Sequence, residues 1–457
     1  MIGCLSLGRE TFDVNFANEK INLVEKRLNK LSNNIIFFEK LVTNDEISEE
    51  ALSFFKQKKC KKYLIIQSTF TDSKFIKKFT KLFKKPIFFI SFKEKRTGGR
   101  LRLNSLCGVN LGLHSLIKNK IYSDFVIFDK EVKYFNKKIV EFINNKDTLD
   151  KSYLKKIENS GKNFKQITYS NPKIALVGKR PEGFDTCDYE VSELKNKLHT
   201  NVSKISLKKL FKISSKIEKN EIINTKKNFE KNFKDLKNLN QIEVEKSISL
   251  FHGLEKIQKK EKFDAFAVRC WPEMFTEYGC ASCAPMAMMN EKKISSACEA
   301  DVLGSLSCNI LNQLNNKPSL LVDIVDLDIK DNTAVFWHCG LAPISMAERN
   351  KANVTVHSNR RKPLLHDFAL KPGKITIFRV SKSENKLKFF IARGEIIKRK
   401  KSFSGTSGVV SLGKDTNKKI KRIFLSGLEH HLAFTYGNIF KDIQNLGTKL
   451  QIPTYTI

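Results

Sequence analysis

No stretch of the chain approaches the ~18 uninterrupted apolar residues that a spanning helix needs, so no membrane span is expected. Its ten cysteines follow no disulfide-framework rhythm, and several lie in apolar or helical contexts. A basic stretch followed by an apolar one, the mark of an export signal, is also missing at the N-terminus. Together these absences point to a reducing, cytoplasmic setting with free thiols. No internal repeat or low-complexity linker stands out. Acidic residues are scarce: 48 Asp and Glu stand against 83 Lys and Arg, a formal net charge of +35. Such an excess usually suggests a nucleic-acid binder. Two features weaken that reading. The lysines are scattered among Asn, Ile and Phe, 35 Phe in all, as compositional drift would leave them. From Asp264 to Met346 the sign reverses, with five basic and ten acidic residues. A basic shell around an acidic segment is the opposite of a phosphate-binding footprint, although it can attract an anionic small molecule.

What is present is a long chain, 457 residues and 41% hydrophobic, too long for one core and sufficient for two or three. Ile2–Leu7 reads as a strand, Phe16–Leu31 as an amphipathic helix, and Asn34–Phe38, Tyr63–Ile66 and Pro86–Ile90 as further strands. Strands alternating with helices predict an α/β fold with a parallel sheet. The segment Asn104–Leu116 has Gly108 and Gly112 before a helix-like run. A second unit opens with the strand Lys173–Val177 and the turn Pro181-Glu182-Gly183. The Lys-rich region 203–262 has helical spacing and leads to the strand Phe263–Val268. A third unit, mainly β, has strands predicted at Ile375–Val380, Leu387–Ile391 and Arg422–Leu425, and a closing helix after His431. The expected division is 1–170, 171–347 and 348–457.

Chemical capacity is concentrated in a few segments. Ser296-Ala-Cys-Glu299-Ala-Asp-Val leads into a run with Val302, Leu303, Leu306, Ile310 and Leu314 at helical spacing. Glu299, three and four residues before Val302 and Leu303, is expected on the same inward face. Ser296 followed by Glu299 also fits a capping box, a purely structural use. Leu320–Ile329 reads as a strand in which Asp323 is the single polar residue of the row Leu321, Asp323, Val325, Leu327, Ile329. A buried carboxylate needs a cation, a metal or strong donors, so Asp323 is either paired to a Lys or Arg or part of a metal site. Asp326 falls on the other face, and Asp328 with Asp331 reads as turn chemistry.

Thr333–Gly340 pairs back through Lys330-Asp331-Asn332 and ends in Trp337-His338-Cys339-Gly340, where a glycine lets backbone or ligand approach. His338 is either a satisfied core histidine or a site residue. Gly427-Leu-Glu-His430-His431 is expected to open the final helical segment. Adjacent histidines point different ways, so they are either a surface pair or contribute at most one member to a site. Two carboxylates and up to two imidazoles suit a manganese-like ion with open positions and are too oxygen-rich for structural zinc. Cys280-Ala-Ser-Cys283 looks like half a zinc site, but the second half is missing.

The runs ACEADVLGSL (Ala297–Leu306), VDIVDLDIKDNTAVFWHCG (Val322–Gly340) and GLEHHLAFTYG (Gly427–Gly437) resemble the L-fucose isomerase-like family, related to L-arabinose isomerases. GRETFDVNFA, VGKRPEGFD and RCWPE (Arg269–Glu273) extend the resemblance over most of the chain. It implies two Rossmann-like α/β domains and a C-terminal β-rich, barrel-like domain. It also implies a divalent metal, usually Mn2+, and a homo-oligomer, a hexamer or a trimer-based assembly. By the same resemblance Glu299 and its acidic partner Asp323 are metal ligands and the catalytic acid/base pair, and the histidine ligand falls in His430-His431, with His431 favoured. His338 is a further site residue, and Arg269 and Trp271 line the sugar pocket. The activity implied is metal-dependent aldose–ketose isomerisation through a cis-enediol. The alternatives are an isomerase of an anionic sugar such as a sulfonated hexose (sulfoquinovose), and a non-catalytic sugar-binding protein on the same scaffold.

Overall fold

A computed structural model describes residues 1–129, 132–146, 153–157, 169–348 and 352–457. Its first sheet is parallel and five-stranded, in the spatial order Ile35–Val42, Ile2–Leu7, Lys62–Gln67, Ile87–Phe92, Asp124–Phe128. Alternate residues serve opposite faces. Cys4, Leu64, Ile66, Phe88 and Ile90 pack with Ala17, Val24, Leu28 and Ile139, while Leu5, Leu7, Ile65 and Phe89 join the main core. Both faces are thus covered by helices, as a parallel sheet requires.

The second sheet is also parallel, in the order Ser295–Ala297, Ala265–Val268, Lys173–Val177, Asn201–Ile205. In both sheets the first strand in sequence has neighbours that wind away in opposite directions. Each sheet therefore carries a switch point, outside which the strand ends form a crevice.

The third sheet is β-rich and has ten strands. Six of them, Thr406–Ser411, Thr333–His338, Ser319–Asp328, Leu432–Tyr436, Gly373–Ser381 and Lys388–Ile397, pair antiparallel in that order. The last pairs with the first, closing the ring. The molecule is mixed α/β, with two parallel sheets and one large β-rich sheet. Nine of the third sheet's strands come from Ser319 onward, and the tenth, Lys155–Lys156, pairs at one edge with Thr454–Thr456.

Two expected elements differ. Arg422–Leu425 belongs to the helix Thr416–Leu425, which buries Ile420, Ile423 and Phe424 at helical spacing. A four-residue apolar run cannot distinguish helix from strand by periodicity. His431 does not lead into a helix but into the strand Leu432–Tyr436, paired on both sides, and only then the helix Phe440–Lys449. Gly340 does permit a close approach: at φ +111°, a Cβ there would lie 2.9 Å from the backbone of His366. Among the described residues no helix is long and apolar enough to cross a membrane.

Candidate active site

The carboxyl ends of both parallel sheets face one end of the strand ring, and a pocket opens where they meet. Arg9 follows the strand Ile2–Leu7, Phe70 follows Lys62–Gln67, Trp271 follows Ala265–Val268, and Glu299 follows Ser295–Ala297. From the ring come Asp323, within Ser319–Asp328, His338, at the end of its strand, and His431, just before Leu432–Tyr436. Loops at strand ends present the chemistry, and the sheets hold them in register.

Glu299 does not occupy a helix N-terminus. The helix begins at Val302, and its N-cap is Asp301, whose Oδ1 accepts from the Gly304 N–H at 2.8 Å. Glu299 and Ala300 instead adopt left-handed backbone, φ +57° and +55°. Such backbone costs a non-glycine residue about 1–3 kcal/mol and persists where the surroundings impose it. Here Ala300 N–H donates to the Val268 carbonyl at 3.0 Å and Asp301 N–H to the Cys298 carbonyl at 3.1 Å. The strained turn aims the Glu299 side chain at the ring of strands rather than along a helix face.

Asp323 lies beside a bulge. The pairing to Thr333–His338 slips between Ile324 and Asp326, so simple alternation ends there. Val325 turns to a small apolar cluster with Leu101, Val335 and Trp337. Asp326 is buried and paired to Arg96 Nε at 2.7 Å. Asp328 accepts from the Lys330 and Asp331 N–H groups, the expected turn.

Both histidines reach Glu299, contrary to the expectation that only one could. The chain bends at His430, and the two rings stand 3.9 Å apart. His430 Nε2 lies 3.0 Å and His431 Nε2 3.8 Å from Glu299 Oε2, and His431 Nε2 lies 3.6 Å from Asp323 Oδ1. Trp271 Nε1–H is directed at the other Glu299 oxygen, at 3.4 Å.

The two carboxyls differ electrostatically. Burial works to raise the Glu299 pKa, but the His430 hydrogen bond and the charges of His430, His431 and His338 outweigh it, leaving the carboxyl below its ordinary range. For Asp323 burial wins over His431 and His430, and its pKa lies above the ordinary value. His430 is raised because its hydrogen bond to Glu299 and the Glu299 charge exceed its own burial cost. His431 is lowered by burial and then by the charge of His430.

Beneath the site lies a buried ionic network that sequence reading missed. Arg379, with no exposed side-chain surface, sends Nη1 to Asp301 Oδ2 at 2.7 Å and Nη2 to Asp301 Oδ1 at 3.0 Å. Its Nε faces Glu429 at 3.7 Å. Asp301 also takes His431 Nδ1 at 2.9 Å. Burial opposes ionisation of Asp301, but the Arg379 charge and His431 outweigh it and hold its pKa far below normal. An ionised carboxylate only accepts, so His431 Nδ1 carries the proton and its Nε2 presents a lone pair to the site. An Asp two residues past Glu299 could have suggested this, but Arg379 is distant in sequence and carries no local signal.

The remaining expected residues divide. Trp271 lines the pocket. Arg269 does not: its Nε pairs with Glu273 at 2.7 Å, and its Nη1 donates to the Lys179 carbonyl at 3.0 Å. His338 lines the pocket but is engaged elsewhere. The Cys339 N–H donates to its Nδ1 at 2.9 Å, so Nε2 carries the proton and is directed at Cys298 Sγ, 2.9 Å away. Burial and the neighbouring Cys270 push the Cys298 thiol well above its usual pKa, keeping it neutral. Cys283 meets Cys339, at 3.4 Å between sulfurs, and not Cys280. Arg9, Asn104, His357, Asn359 and Arg360 are pocket residues that sequence reading did not assign.

The donor chemistry suits a divalent cation. Asp323 Oδ1 is buried with no hydrogen-bond partner among the described residues, an arrangement that costs free energy unless a cation meets it. His431 Nε2 lies between two carboxylate oxygens from separate elements, 3.8 Å from Glu299 Oε2 and 3.6 Å from Asp323 Oδ1. Among the described residues the groups that could hold a metal ion are Cys298 with His338 and His431, Cys187 with Glu299 and His431, and Asp323 with His430 and His431.

A family model described as the L-fucose isomerase C-terminal domain matches residues 365–457. The chain is 31% identical over 451 residues to the sulfoquinovose isomerase of Priestia megaterium, covering 98% of this chain and 97% of that one. It is 28% identical over 397 residues to the sulfoquinovose isomerase of Alkalicoccus urumqiensis, 86% of each chain. The sulfoquinovose isomerase of Clostridium sp. is 28% identical over 459 residues, 99% of this chain and 98% of that one. Fold, pocket and relatives define a sugar-converting enzyme, an aldose–ketose isomerase. The chain belongs to the L-fucose isomerase-like family.

Proposed function

We propose that the enzyme uses a divalent cation, Mn2+ or a close substitute, to interconvert an aldose and a ketose through a cis-enediol(ate), and that its sugar is a sulfonated hexose such as sulfoquinovose. The observation that carries the chemistry is the placement of His431 Nε2 between Glu299 Oε2 and the unpartnered Asp323 Oδ1. Those three side chains would hold the ion. When bound, it would supply Lewis-acid stabilisation of charge developing on the two sugar oxygens beside the reacting carbons, worth several kcal/mol.

The rest is done by the chain. Isomerisation moves a proton between C2 and C1, and the obstacle is the low acidity of the C–H bond. Glu299 removes and returns that proton, acting as base and then acid. The His430 hydrogen bond keeps the carboxyl ionised and oriented, and the Trp271 indole fixes its second oxygen. Asp301 fixes the His431 tautomer. Trp271, Phe275 and Trp337 wall the pocket, limiting water around the sugar carbons. The sulfonated substrate is supported by the names of the relatives, by the basic excess around an acidic core segment, and by arginines at the pocket.

Dialysis against EDTA is expected to lower kcat at least 100-fold, and Mn2+ to restore it, when ketose formation is followed over aldoses with and without a C6 sulfonate. EDTA-resistant turnover would overturn the cation assignment. A neutral aldose outperforming every sulfonated one would overturn the substrate.

A further inference from the structure

The pocket has a second pole, opposite in charge to the first. Arg9 and Arg360 come from different elements, one from the loop after the first strand and one from the loop around residues 356–364, and both pack on Trp271. The Arg9 guanidinium lies 5.3 Å from the indole centroid and 5.6 Å from the Phe70 ring. That of Arg360 lies 5.7 Å from the same indole and 5.6 Å from the Phe275 ring. Aromatic contact occupies the flat faces of a guanidinium and leaves its N–H edges free, which is the geometry for gripping an oxyanion through a fork of hydrogen bonds.

Among the described residues only one of the two charges is matched by an acid. Arg9 has one partner, Asp72, at 2.7 Å. Arg360 is half-buried, and among the described residues no carboxylate pairs with it. Burial and the nearby charge of Arg9 hold its pKa below the usual guanidinium value, as expected for two close cations without an anion between them. His357, in the same loop, does not add charge, because burial and Arg360 push its pKa down to about 3. Its main chain instead shapes the turn, its carbonyl accepting from the N–H groups of Arg360 at 3.2 Å and Arg361 at 2.7 Å. Arg100, exposed at the rim, is tied to Asn359 at 3.0 Å and continues the positive edge.

Trp271 connects the two poles. Its Nε1–H addresses Glu299, while its ring carries the two arginines. A sugar lying along the indole, with its reacting carbons at Glu299, would bring its far end to Arg9 and Arg360. We propose that Arg9 and Arg360 form the subsite for a tetrahedral oxyanion at the non-reacting end of the sugar, and that this pair sets the preference for anionic over neutral aldoses. This rests on the isomerase reading above and adds the residues that select its substrate class.

The test compares wild type, Arg360→Gln, Arg360→Lys and Arg9→Gln on a C6-sulfonated, a C6-phosphorylated and a neutral aldose. The readout is the ratio of kcat/KM for each anionic sugar to that for the neutral one, which cancels any loss of folded enzyme. Arg360→Gln is expected to lower the ratio for the preferred anion about 10- to 100-fold, mainly through KM, with Arg360→Lys recovering part of it. The phosphorylated and sulfonated arms show which oxyanion the wild type prefers. An unchanged ratio in both glutamine variants would overturn the subsite and leave the isomerase standing.

Methanesulfonate, titrated against intrinsic fluorescence, gives a readout independent of turnover. A saturable response in wild type that is lost in Arg360→Gln supports the subsite even if no aldose is converted, in which case it is the substrate reading that fails. A response that persists unchanged in Arg360→Gln counts against it.

Discussion

Glu299→Gln is expected to lower kcat about 1,000-fold while the protein stays folded. The substitution keeps the shape of the side chain and removes its capacity to carry the proton, together with the charge it would offer the cation. Among the described residues Glu299 is the one carboxyl that combines a strained left-handed backbone, a histidine hydrogen bond at 3.0 Å and an indole contact at 3.4 Å. No other carboxylate in the pocket has its pKa held below normal by facing histidines, since Asp323 is pushed the other way. Pairs of carboxyls with opposed shifts are typical where one must act as a base. Asp323→Asn is expected to act differently: its first effect is on cation retention, read by metal content after gel filtration, with activity falling in parallel. Turnover near wild type for Glu299→Gln would remove the residue from the mechanism.

The second large effect is on stability. Asp301→Asn is expected to destabilise the protein by about 3–5 kcal/mol, because it leaves Arg379 charged, buried and without its main partner. The same change deprives His431 Nδ1 of its anionic acceptor. The sign with pH follows from the direction of the shift. A carboxyl whose pKa is far lower folded than unfolded contributes stability above its unfolded value, about 3.9, and loses it as pH falls through the folded value. Urea midpoints at pH 7 and pH 3 should therefore differ more in wild type than in Asp301→Asn. Equal midpoints for the two proteins at pH 7 would show that the network does not anchor the fold.

Much of the scaffold was legible from local pattern. The strand Lys173–Val177 and the opening strand Ile2–Leu7 lie where their apolar runs end, because a strand buried on both faces leaves a continuous hydrophobic signature. Arg422–Leu425 was misread because its helical partner Ile420 lies outside the short run. The site was partly legible: Glu299, Asp323, His338, His430 and His431 do assemble in one place. Arg269 was misplaced because the neighbouring Glu273 captures it, a competition between adjacent side chains that spacing does not reveal.

By itself, the sequence determined the alternation of strands and helices, the acidic segment inside a basic chain, and which few polar residues would be carried into apolar surroundings. These follow from periodicity and composition, which are local properties. Only the tertiary structure decided that Glu299 sits in a left-handed turn instead of a helix, and that both histidines face it. It alone paired Arg379 with Asp301 and brought Arg9 and Arg360 together over one indole. Those outcomes depend on residues tens to hundreds of positions apart meeting across three sheets. Burial then gives each meeting its energy, since a charge removed from water must find its partner wherever the fold places it.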